Sequence, residues 1–374
     1  MTLADTLPPP RGRRANPLMR LIASRRFQSL VAATPGLRRI ARRDGEALFD
    51  LVAGFVHSQV LWSVIDLRLL HRLMEDGPHT AASLSMQTPL TAERMTLLCD
   101  AAAALGLMRQ TRDGFAIARK GAALLGVPGL EAMIAHHSVL YRDLSNPVDT
   151  LAGAETELSQ FWPYVFGAGA AKDPKTAQRY SALMTDSQVL VAEETLRRVD
   201  LSGAKTVLDI GGGTGAFLTA LGRRHARPRL HLFDLPAVTP QARDRFAQAG
   251  LATRATITAG SFRDDPLPSD ADTISLIRVL YDHGDDTVLA LLQKAYQALP
   301  KGGRLIVSEP MKGKDAPTRS GDAYFAFYCM AMQTGRARSP TEIRALLLQA
   351  GFAVVQDHGT SRPFVTYVLS ARKD

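Results

Sequence analysis

The second half of the chain alternates short apolar runs with segments of helical spacing, the pattern of a sheet whose parallel strands are joined by helices. The predicted strands are 207–210, 230–233, 255–259, 272–277, 304–308, 352–355 and 366–370. The predicted helices between them are 216–224, 286–299 and 341–350. This pattern predicts an α/β domain over residues 201–374, with a mostly parallel sheet covered by helices on both faces.

The first half has helical spacing over most of its length. Apolar residues recur at helical intervals from Leu48 to Leu73, and Gly77-Pro78 ends that run. Two shorter helices follow, the second with Thr91 as its N-cap. A hairpin is then predicted, turning at Asp113-Gly114. Helix, helix and hairpin in this order predict a winged-helix domain over residues 44–126.

Residues 127–200 are predicted to be helical with a loop in the middle. A dense aromatic cluster lies there, running from Phe161 and Trp162 to Phe166. The cluster has two interpretations. Its side chains either fill the hydrophobic core beneath a loop or form the wall of an apolar pocket. His136 and His137 lie nearby, but neighbours on a helix point different ways, so they do not have metal-ligand spacing. No metal site is expected.

The winged-helix pattern raises the possibility of DNA binding. A recognition helix should direct Arg, Lys, Asn or Gln towards base edges. The second short helix offers Thr91, Glu93, Arg94 and Thr96, and then runs into alanines and Asp100. We therefore expect a packing helix and no nucleic-acid partner.

Charge is concentrated at the N-terminus. Formal net charge is +9, and residues 1–43 contain ten arginines against a single acid, Asp5. Apolar residues lie between these arginines. The extension 1–43 is equally compatible with a basic amphipathic arm on an anionic membrane and with a solvated arm packed on a partner subunit.

Compartment signals are few. No continuous apolar run reaches the roughly 18 residues of a membrane span, and the first residues do not have the order of a signal peptide. Cys99 and Cys329 lie in apolar helical contexts and are expected to be free, reduced thiols. We expect a cytoplasmic protein.

The predicted turn after strand 207–210 has four glycines, at 211, 212, 213 and 215, and opens a helix. Such a turn lets a ligand approach backbone N–H groups at a helix N-terminus. The next strand ends in Asp234, 19 residues (234 − 215) after the last glycine, where a pair of ribose hydroxyls needs an acceptor. The combination predicts an adenosine-type cofactor.

Other polar residues fall at the same edge of the predicted sheet. Ser261, Tyr281 and Glu309 follow or end strands, as Gly211 and Asp234 do. Ligands in open α/β sheets bind outside the carboxyl ends of the strands. This convergence predicts one site at that edge.

Five segments together resemble the motif series of class I S-adenosylmethionine-dependent O-methyltransferases. They are Asp209–Gly215, Phe233–Pro236, Gly260–Phe262, Tyr281–Asp285 and Ala350–Phe352. The resemblance covers residues 44–374 and is to the group typified by plant caffeate and flavonoid O-methyltransferases. It implies a winged-helix dimerisation domain, a Rossmann-like catalytic domain, a homodimer and S-adenosylmethionine as cofactor.

The resemblance also assigns roles to residues. Asp209, Gly211 and Gly213 would approach the methionine part of the cofactor, and Asp234, followed by Leu235, would accept hydrogen bonds from both ribose hydroxyls. The remaining implied contacts fall on Ser261 and Phe262, where the family has Asp-Met beside the adenine, on Arg278, one place from the usual basic position, and on Tyr180 and Met184, which match positions that flank the acceptor. Phe161 and Trp162 of the aromatic cluster could line an apolar tunnel for the acceptor together with them; the alternative is that all four are ordinary core.

The catalytic motif departs from the plant-type pattern His-Asp-Trp-x-Asp. Here Tyr281 stands at the position of the His base, followed by Asp282 and His283. Glu309 matches the first supporting glutamate, whereas the second falls on Ala337. Tyr281 is thus expected to position the acceptor hydroxyl and relay its proton, with Asp282 or His283 as proton acceptor. Glu309 is expected to hold Tyr281 or the acceptor hydroxyl. A simpler possibility is that Tyr281 only lines the pocket and water takes the proton.

Within this group, Ala47–Val60 and the basic lead-in resemble the carotenoid O-methyltransferases of purple bacteria. That implies methylation of the tertiary hydroxyl of an acyclic hydroxycarotenoid such as hydroxyneurosporene or demethylspheroidene, and thus a role in carotenoid biosynthesis. It also makes peripheral contact with the photosynthetic inner membrane possible. Two alternatives stay open. One keeps the cofactor but takes a bacteriochlorophyll precursor, a quinone or a phenolic polyketide. The other is a ligand-sensing winged-helix regulator with a degenerate methyltransferase domain.

Overall fold

The computed structural model describes residues 16–161 and 187–374, with only the backbone of Phe161. The N-terminal part is mainly helical. Its elements are α1 Pro17–Ile22, α2 Arg25–Ala33, α3 Arg38–Asp66, α4 Leu69–Glu75, α5 Ala81–Ser85, α6 Ala92–Ala104, β1 Met108–Thr111, β2 Gly114–Ile117, α7 Arg119–Leu125, α8 Leu130–Asp143, α9 Pro147–Leu151 and α10 Glu157–Phe161. Helices α3 to α6 and the β1–β2 hairpin pack around one apolar core.

The predicted single helix from Leu48 to Leu73 is two helices. Helix α3 ends at Asp66, and Arg68 adopts a left-handed conformation, with φ of 52°, before α4 begins. A left-handed residue cannot continue an α-helix, and apolar periodicity alone does not reveal it. The break turns α4 back so that Leu69, Leu70 and Leu73 are buried.

Two local predictions for the winged helix have different outcomes. Thr91 caps α6, accepting a hydrogen bond from Arg94 N at 3.3 Å, which confirms the predicted N-cap. The hairpin turn is one residue off, because Gly114 already pairs with Thr111 as the first residue of β2. A Cβ on Gly114 would lie 2.3 Å from His79 O, so glycine is needed there for close backbone approach.

Helix α3 carries a long apolar surface. By length and composition it is the one helix among residues 16–161 and 187–374 that could cross a membrane alone, with a mean hydropathy of 1.5; α7 and α8 would add a second if that bent pair formed one span. The sequence reading missed this segment because polar residues such as Asp50 and His57 interrupt the run. We define the α3 apolar face as the exposed side chains Leu48, Phe49, Leu51, Val52, Phe55 and Val56. Core helices of soluble proteins pass the same test, but most of α3 is exposed here.

The C-terminal part is an α/β domain. Its first helix, α11, is described over residues 187–198. The following elements are β3 Thr206–Ile210, α12 Ala216–Arg224, β4 Arg229–Asp234, α13 Thr239–Gln248, β5 Ala255–Ala259, β6 Thr273–Ile277, α14 Asp285–Ala298, β7 Arg304–Glu309, α15 Ala326–Met332, α16 Pro340–Gln349, β8 Val354–Gly359 and β9 Tyr367–Arg372. A 3₁₀ turn spans Leu280–Asp282, and a π-helix, Arg319–Phe325, leads into α15.

Seven strands form one sheet in the order β5-β4-β3-β6-β7-β9-β8, parallel except for β9, which is antiparallel to both neighbours. Alternate residues of the central strands enter opposite cores. On β3, for example, Val207 faces a core with α11, α12 and α13, whereas Leu208 faces a core with α14 and α16. This is the predicted Rossmann-like architecture. Strand β8 begins at Val354, two residues later than predicted, because Gly351 has a φ of 109° and Phe352 packs into the core before the strand.

Helices α8 and α10 pack against α15 through Leu140, Leu158, Tyr328 and Met332. The helical part is thereby joined to the α/β domain through α15. The predicted four-part division of the chain stays a prediction, and α3 runs across its first boundary at residues 43 and 44.

Candidate active site

The glycine turn lies at the carboxyl edge of the sheet, between β3 and α12. Gly211 and Gly213 have φ values of 67° and 58°, a region that favours glycine. A Cβ on Gly213 would meet nothing within 4 Å, so this face of the turn is open, whereas a Cβ on Gly212 would lie 2.6 Å from the Asp209 carboxylate. The turn presents bare backbone to its open side and packs tightly on Asp209.

Asp234, at the end of β4, bridges to the glycine turn. Its Oδ2 accepts a hydrogen bond from Gly213 N, and its Oδ1 accepts one from Leu235 N, both at 2.6 Å. Burial raises the pKa of this carboxyl, and the two backbone donors oppose that shift. Each carboxylate oxygen has a further lone pair, so Asp234 retains the capacity to accept from a ribose hydroxyl pair.

Asp209 lies beneath the turn and is fully buried. Its Oδ1 accepts from Ser275 Oγ at 2.6 Å, and its Oδ2 has no hydrogen-bond partner among residues 16–161 and 187–374. Burial raises the pKa of Asp209 to about 7, against the effect of Ser275. A buried acceptor at a glycine turn, with Asp234 opposite, fits a cofactor that combines a ribose with a cationic portion.

Ser261 and Phe262 follow β5. Ser261 stabilises its own loop, since Ser261 N donates to Asp265 at 2.7 Å and Arg263 N donates to Ser261 Oγ at 3.2 Å. The Phe262 ring meets the His283 ring edge to face, with centroids 5.2 Å apart. The structure therefore brings Phe262 and His283 into direct contact.

His283 is held as a neutral imidazole. Its Nδ1 lies 3.1 Å from Arg263 Nη2, which donates to it. Burial and the nearby charges of Arg263 and Arg338 lower its pKa to about 3. The basic nitrogen is thus occupied by a guanidinium, an arrangement that does not favour His283 as the proton acceptor.

Tyr281 lies on the 3₁₀ turn after β6 and is 2% exposed. Its ring packs with Cys329, Ala337 and Phe325. Its hydroxyl lies 3.2 Å from Arg278 Nη2, which donates to it. Burial raises the pKa of the phenol, and Arg278 opposes that shift without cancelling it, so Tyr281 is protonated at neutral pH.

Arg278 links three parts of the site. It has a left-handed φ of 58°, which costs free energy for a non-glycine residue. Its backbone N donates to Ser308 O at 2.8 Å, which fixes it to β7. Its Nη1 donates to Ser187 Oγ at 2.8 Å, so Arg278 also binds the first described residue of α11. The side chain that sequence assigned to the cofactor is, in this geometry, in contact with Tyr281.

Two carboxyl groups flank Tyr281. Glu309 is fully buried, and its Oε2 accepts from Leu280 N at 3.0 Å and Tyr281 N at 3.3 Å. Glu309 thus holds the backbone of the turn, whereas the sequence placed it on the Tyr281 or acceptor hydroxyl. Burial raises the pKa of Glu309 to about 7 and that of Asp282 to about 8. The charge of Arg278 opposes the rise for Asp282.

Arg338 is a site residue to which the sequence reading gave no role. It is fully buried, and its Nη1 and Nη2 donate to Leu280 O and His283 O, each at 2.8 Å. It also pairs with Asp285 at 2.6 Å. A Cβ on Gly335 would lie 2.1 Å from Tyr281 O, so the turn is clamped from this side too. The only sequence signal was an arginine beside Ala337, where the second supporting glutamate is missing.

The structure therefore brings together Asp209, Gly211, Gly213, Asp234 and Leu235 at one end, and Arg278, Tyr281, Asp282 and Glu309 at the other, with Ser261, Phe262 and His283 at the side. The predicted acceptor residues Phe161 (side chain), Trp162, Tyr180 and Met184 lie outside the described residues. All the role assignments to these residues stay predictions.

Comparison with known proteins identifies the family. The O-methyltransferase domain matches residues 141–353, and the O-methyltransferase dimerisation domain matches residues 49–123. The chain belongs to the O-methyltransferase family. It is 55% identical to a demethylspheroidene O-methyltransferase of Cereibacter sphaeroides, over 94% of this chain and 93% of that protein. It is 49% identical to a demethylspheroidene O-methyltransferase of Rhodobacter capsulatus, over 96% and 90% of the respective chains.

The fold of this O-methyltransferase is also that of solved relatives. A structure of human N-acetylserotonin methyltransferase in complex with S-adenosylmethionine has a TM-score of 0.76 at 24% identity, covering 88% of this chain and 97% of that one. These findings confirm the predicted enzyme class, an S-adenosylmethionine-dependent O-methyltransferase with that cofactor, and the predicted fold. The dimerisation domain supports a homodimer.

Proposed function

We propose that this enzyme methylates the tertiary hydroxyl of an acyclic hydroxycarotenoid, in carotenoid biosynthesis. The observation that carries this proposal is the identity of 55% and 49% to two demethylspheroidene O-methyltransferases over more than nine tenths of the chain. The residues around Tyr281 support it independently. A protonated phenol stands where plant-type relatives have a histidine base, and a tertiary alcohol has little use for such a base.

The chemistry follows from the acidity of the acceptor. A phenol has a pKa near 10, so a neutral imidazole can share its proton. A tertiary alcohol is far less acidic, so ionising it in advance would be uphill. Bound S-adenosylmethionine supplies an electrophilic methyl group with a neutral leaving group. Catalysis then depends on holding the acceptor oxygen in line with that methyl group, at about 3 Å.

In this proposal Tyr281 positions the acceptor hydroxyl, and Arg278 fixes the Tyr281 oxygen by donating to it. As the new C–O bond forms, the hydroxyl proton passes through Tyr281 to the Asp282 carboxylate. Because the pKa of Asp282 is about 8, the carboxylate that accepts the proton is a minor form at neutral pH and becomes the main form above pH 8. Glu309 and Arg338 hold the turn, and His283, with its Nδ1 bound to Arg263, stays neutral beside Phe262.

The experiment is a mass-spectrometric assay of purified protein with S-adenosylmethionine and an acyclic hydroxycarotenoid. The proposal predicts a product heavier by one CH₂, as a methyl ether at the tertiary oxygen. Unchanged hydroxycarotenoid, together with methylation of a bacteriochlorophyllide, a quinone or a catechol in the same assay, would contradict it.

We further propose that the enzyme is cytoplasmic and docks on the anionic inner membrane through α1 and α2. Neither helix buries a residue. Leu18, Met19 and Leu30 are 54%, 52% and 64% exposed, and the basic residues among them are Arg20, Arg25 and Arg26. A basic amphipathic segment adds electrostatic attraction to apolar burial at the interface. A hydrocarbon acceptor would reach the site from the same membrane.

Vesicle sedimentation tests this docking. The full chain should sediment with phosphatidylglycerol vesicles, less so at high salt, and not with phosphatidylcholine vesicles. Arg25→Glu with Arg26→Glu should release it, whereas the same charge change at the exposed Arg223 and Arg224 of α12 should not. Equal sedimentation of both double variants would contradict docking through this arm, and a change of dimer state alone would point to the partner subunit.

A further inference from the structure

Two neighbouring histidines of α8 reach two tyrosines of the catalytic domain. His137 Nε2 lies 2.6 Å from the Tyr324 hydroxyl, and His136 Nε2 lies 3.0 Å from the Tyr328 hydroxyl. The tyrosine rings are stacked, with centroids 6.1 Å apart and an angle of 29°. The same kind of pair thus occurs twice, four residues apart along the π-helix and α15.

The two pairs differ in accessibility. His136 and Tyr328 are 8% and 5% exposed, and Tyr328 packs in the core between α8, α10 and α15. His137 and Tyr324 are both half-buried. The inner pair therefore satisfies polar atoms within a core, whereas the outer pair is partly exposed.

Tyr324 stands next to the residues that surround Tyr281. Its ring meets Phe325 edge to face, with centroids 4.9 Å apart, and Phe325 packs on Tyr281. Burial raises the pKa of the Tyr324 phenol and the charge of Arg278 opposes this, so the guanidinium that binds Tyr281 also acts on Tyr324. Tyr324, Phe325, Tyr281 and Arg278 therefore form one connected group of side chains, which we define as one wall of the site.

We propose that His137 is a positioning residue of the acceptor site, which holds the Tyr324 hydroxyl on the wall that Arg278 and Tyr281 share, so that Tyr324 orients the acceptor. The inference rests on the proposed function only in taking this wall as the acceptor side. Both histidines lie between the two matched segments, 49–123 and 141–353, so neither family match implies this pair.

The physical reason is the freedom of a phenol. Without His137 as a partner, the Tyr324 hydroxyl would hydrogen-bond to water and rotate about its C–O bond. A neutral imidazole orients the Tyr324 hydroxyl without placing a charge beside it. Burial keeps His137 neutral by lowering its pKa. Through this pair, a residue from outside the catalytic sheet sets the alignment of the acceptor. Loss of one such hydrogen bond corresponds to about a 3- to 10-fold change in the acceptor KM.

The experiment compares Tyr324→Phe, His137→Leu and His137→Gln with Tyr328→Phe as the matched control. The acceptor is whichever compound the wild-type enzyme methylates in a panel of hydroxycarotenoids, bacteriochlorophyllides, quinones and catechols. Tyr324→Phe and His137→Leu should raise the acceptor KM about 3- to 10-fold, with donor affinity by calorimetry unchanged. Gln places an amide nitrogen where Nε2 was, so His137→Gln should restore most of the KM.

Tyr328→Phe should lower Tm and leave the acceptor KM within about twofold. Two outcomes would overturn the proposal: an acceptor KM unchanged in both Tyr324→Phe and His137→Leu, or a rise that follows Tm equally in all four variants. If the wild-type enzyme methylates only a catechol, the carotenoid assignment fails while this test proceeds with that catechol. A wild-type enzyme inactive with the whole panel would contradict both proposals.

Discussion

Arg278 Nη2 donates to the Tyr281 hydroxyl at 3.2 Å, and the guanidinium carbon lies 5.8 Å from the centroid of the tyrosine ring. Arg278 reaches this position from a left-handed backbone conformation. At the position of Tyr281, plant-type relatives carry a histidine base. This chain has a phenol there that stays protonated. In the proposed function, this pair serves to align an alcohol more than to deprotonate it.

Tyr281→Phe removes the hydroxyl and keeps the ring that packs on Phe325. We expect kcat to fall about 10- to 100-fold, with donor affinity unchanged, in steady-state assays with the hydroxycarotenoid. Arg278→Lys is the companion variant, since it keeps the charge but loses the planar fork, and should give a smaller loss. Unchanged turnover in Tyr281→Phe would remove Tyr281 from the chemistry.

Asp282→Asn tests the destination of the proton. Only ionised Asp282 can accept it, so the wild-type kcat/KM should rise with pH through about 8. The Asn variant should be slower and should lack this limb. A limb that persists in Asp282→Asn would assign it to another group.

The same raised pKa has a consequence for stability. Folded Asp282 keeps its proton to a higher pH than the unfolded chain does, so its contribution to stability is present below the unfolded pKa of about 3.9 and is lost as pH rises through about 8. The free energy of unfolding of wild type, from urea titrations, should therefore fall more between pH 5 and pH 8.5 than that of Asp282→Asn. Parallel pH profiles would show that folding leaves the pKa of Asp282 unshifted.

Asp234→Asn tests the cofactor end. The amide accepts at one atom only, so the paired acceptance from a ribose is lost. Calorimetry should show S-adenosylmethionine binding weakened by about 10- to 100-fold, the loss typical of hydrogen bonds to a charged group. Asp244→Asn is a suitable control, because Asp244 is exposed on α13 and should leave this affinity unchanged. Equal affinity in Asp234→Asn and wild type would exclude Asp234 as the ribose acceptor.

Arg338→Met tests the clamp on the Tyr281 turn. Loss of a fully buried arginine that binds Leu280 O, His283 O and Asp285 should lower the free energy of unfolding by about 3 kcal/mol. Arg336→Met is the control, since Arg336 also pairs with Asp285 but is 40% exposed, and should cost under about 1 kcal/mol. Equal losses in the two variants would contradict the clamp.

Leu51→Asp tests the α3 apolar face, which includes residues within the matched dimerisation domain. Light scattering should show a monomer, because Leu51 is 77% exposed in the single chain and a dimer contact would bury it against apolar surface. Met86→Asp is the control. Met86 is 79% exposed but lies in the connection between α5 and α6, so this variant should remain dimeric. A dimeric Leu51→Asp protein would place the interface elsewhere.

Sequence patterns predicted the sheet, the glycine turn and the convergence of Asp234, Tyr281 and Glu309, because parallel strands bring their carboxyl ends to one edge. They could not predict the break at Arg68, since a left-handed residue leaves no mark on apolar periodicity. Long-range contacts were equally invisible. Arg338 meets Asp285 across 53 residues, and His137 meets Tyr324 across 187, so neither partner could be found before the fold was known.

The most direct test of the central claim is a competition assay. Purified enzyme receives methyl-labelled S-adenosylmethionine and an equimolar mixture of an acyclic hydroxycarotenoid, a bacteriochlorophyllide, a quinone and a catechol, and the label in each product is counted. The carotenoid assignment predicts that the label accumulates in the tertiary methyl ether of the carotenoid. Label found only in the catechol, the bacteriochlorophyllide or the quinone would contradict it.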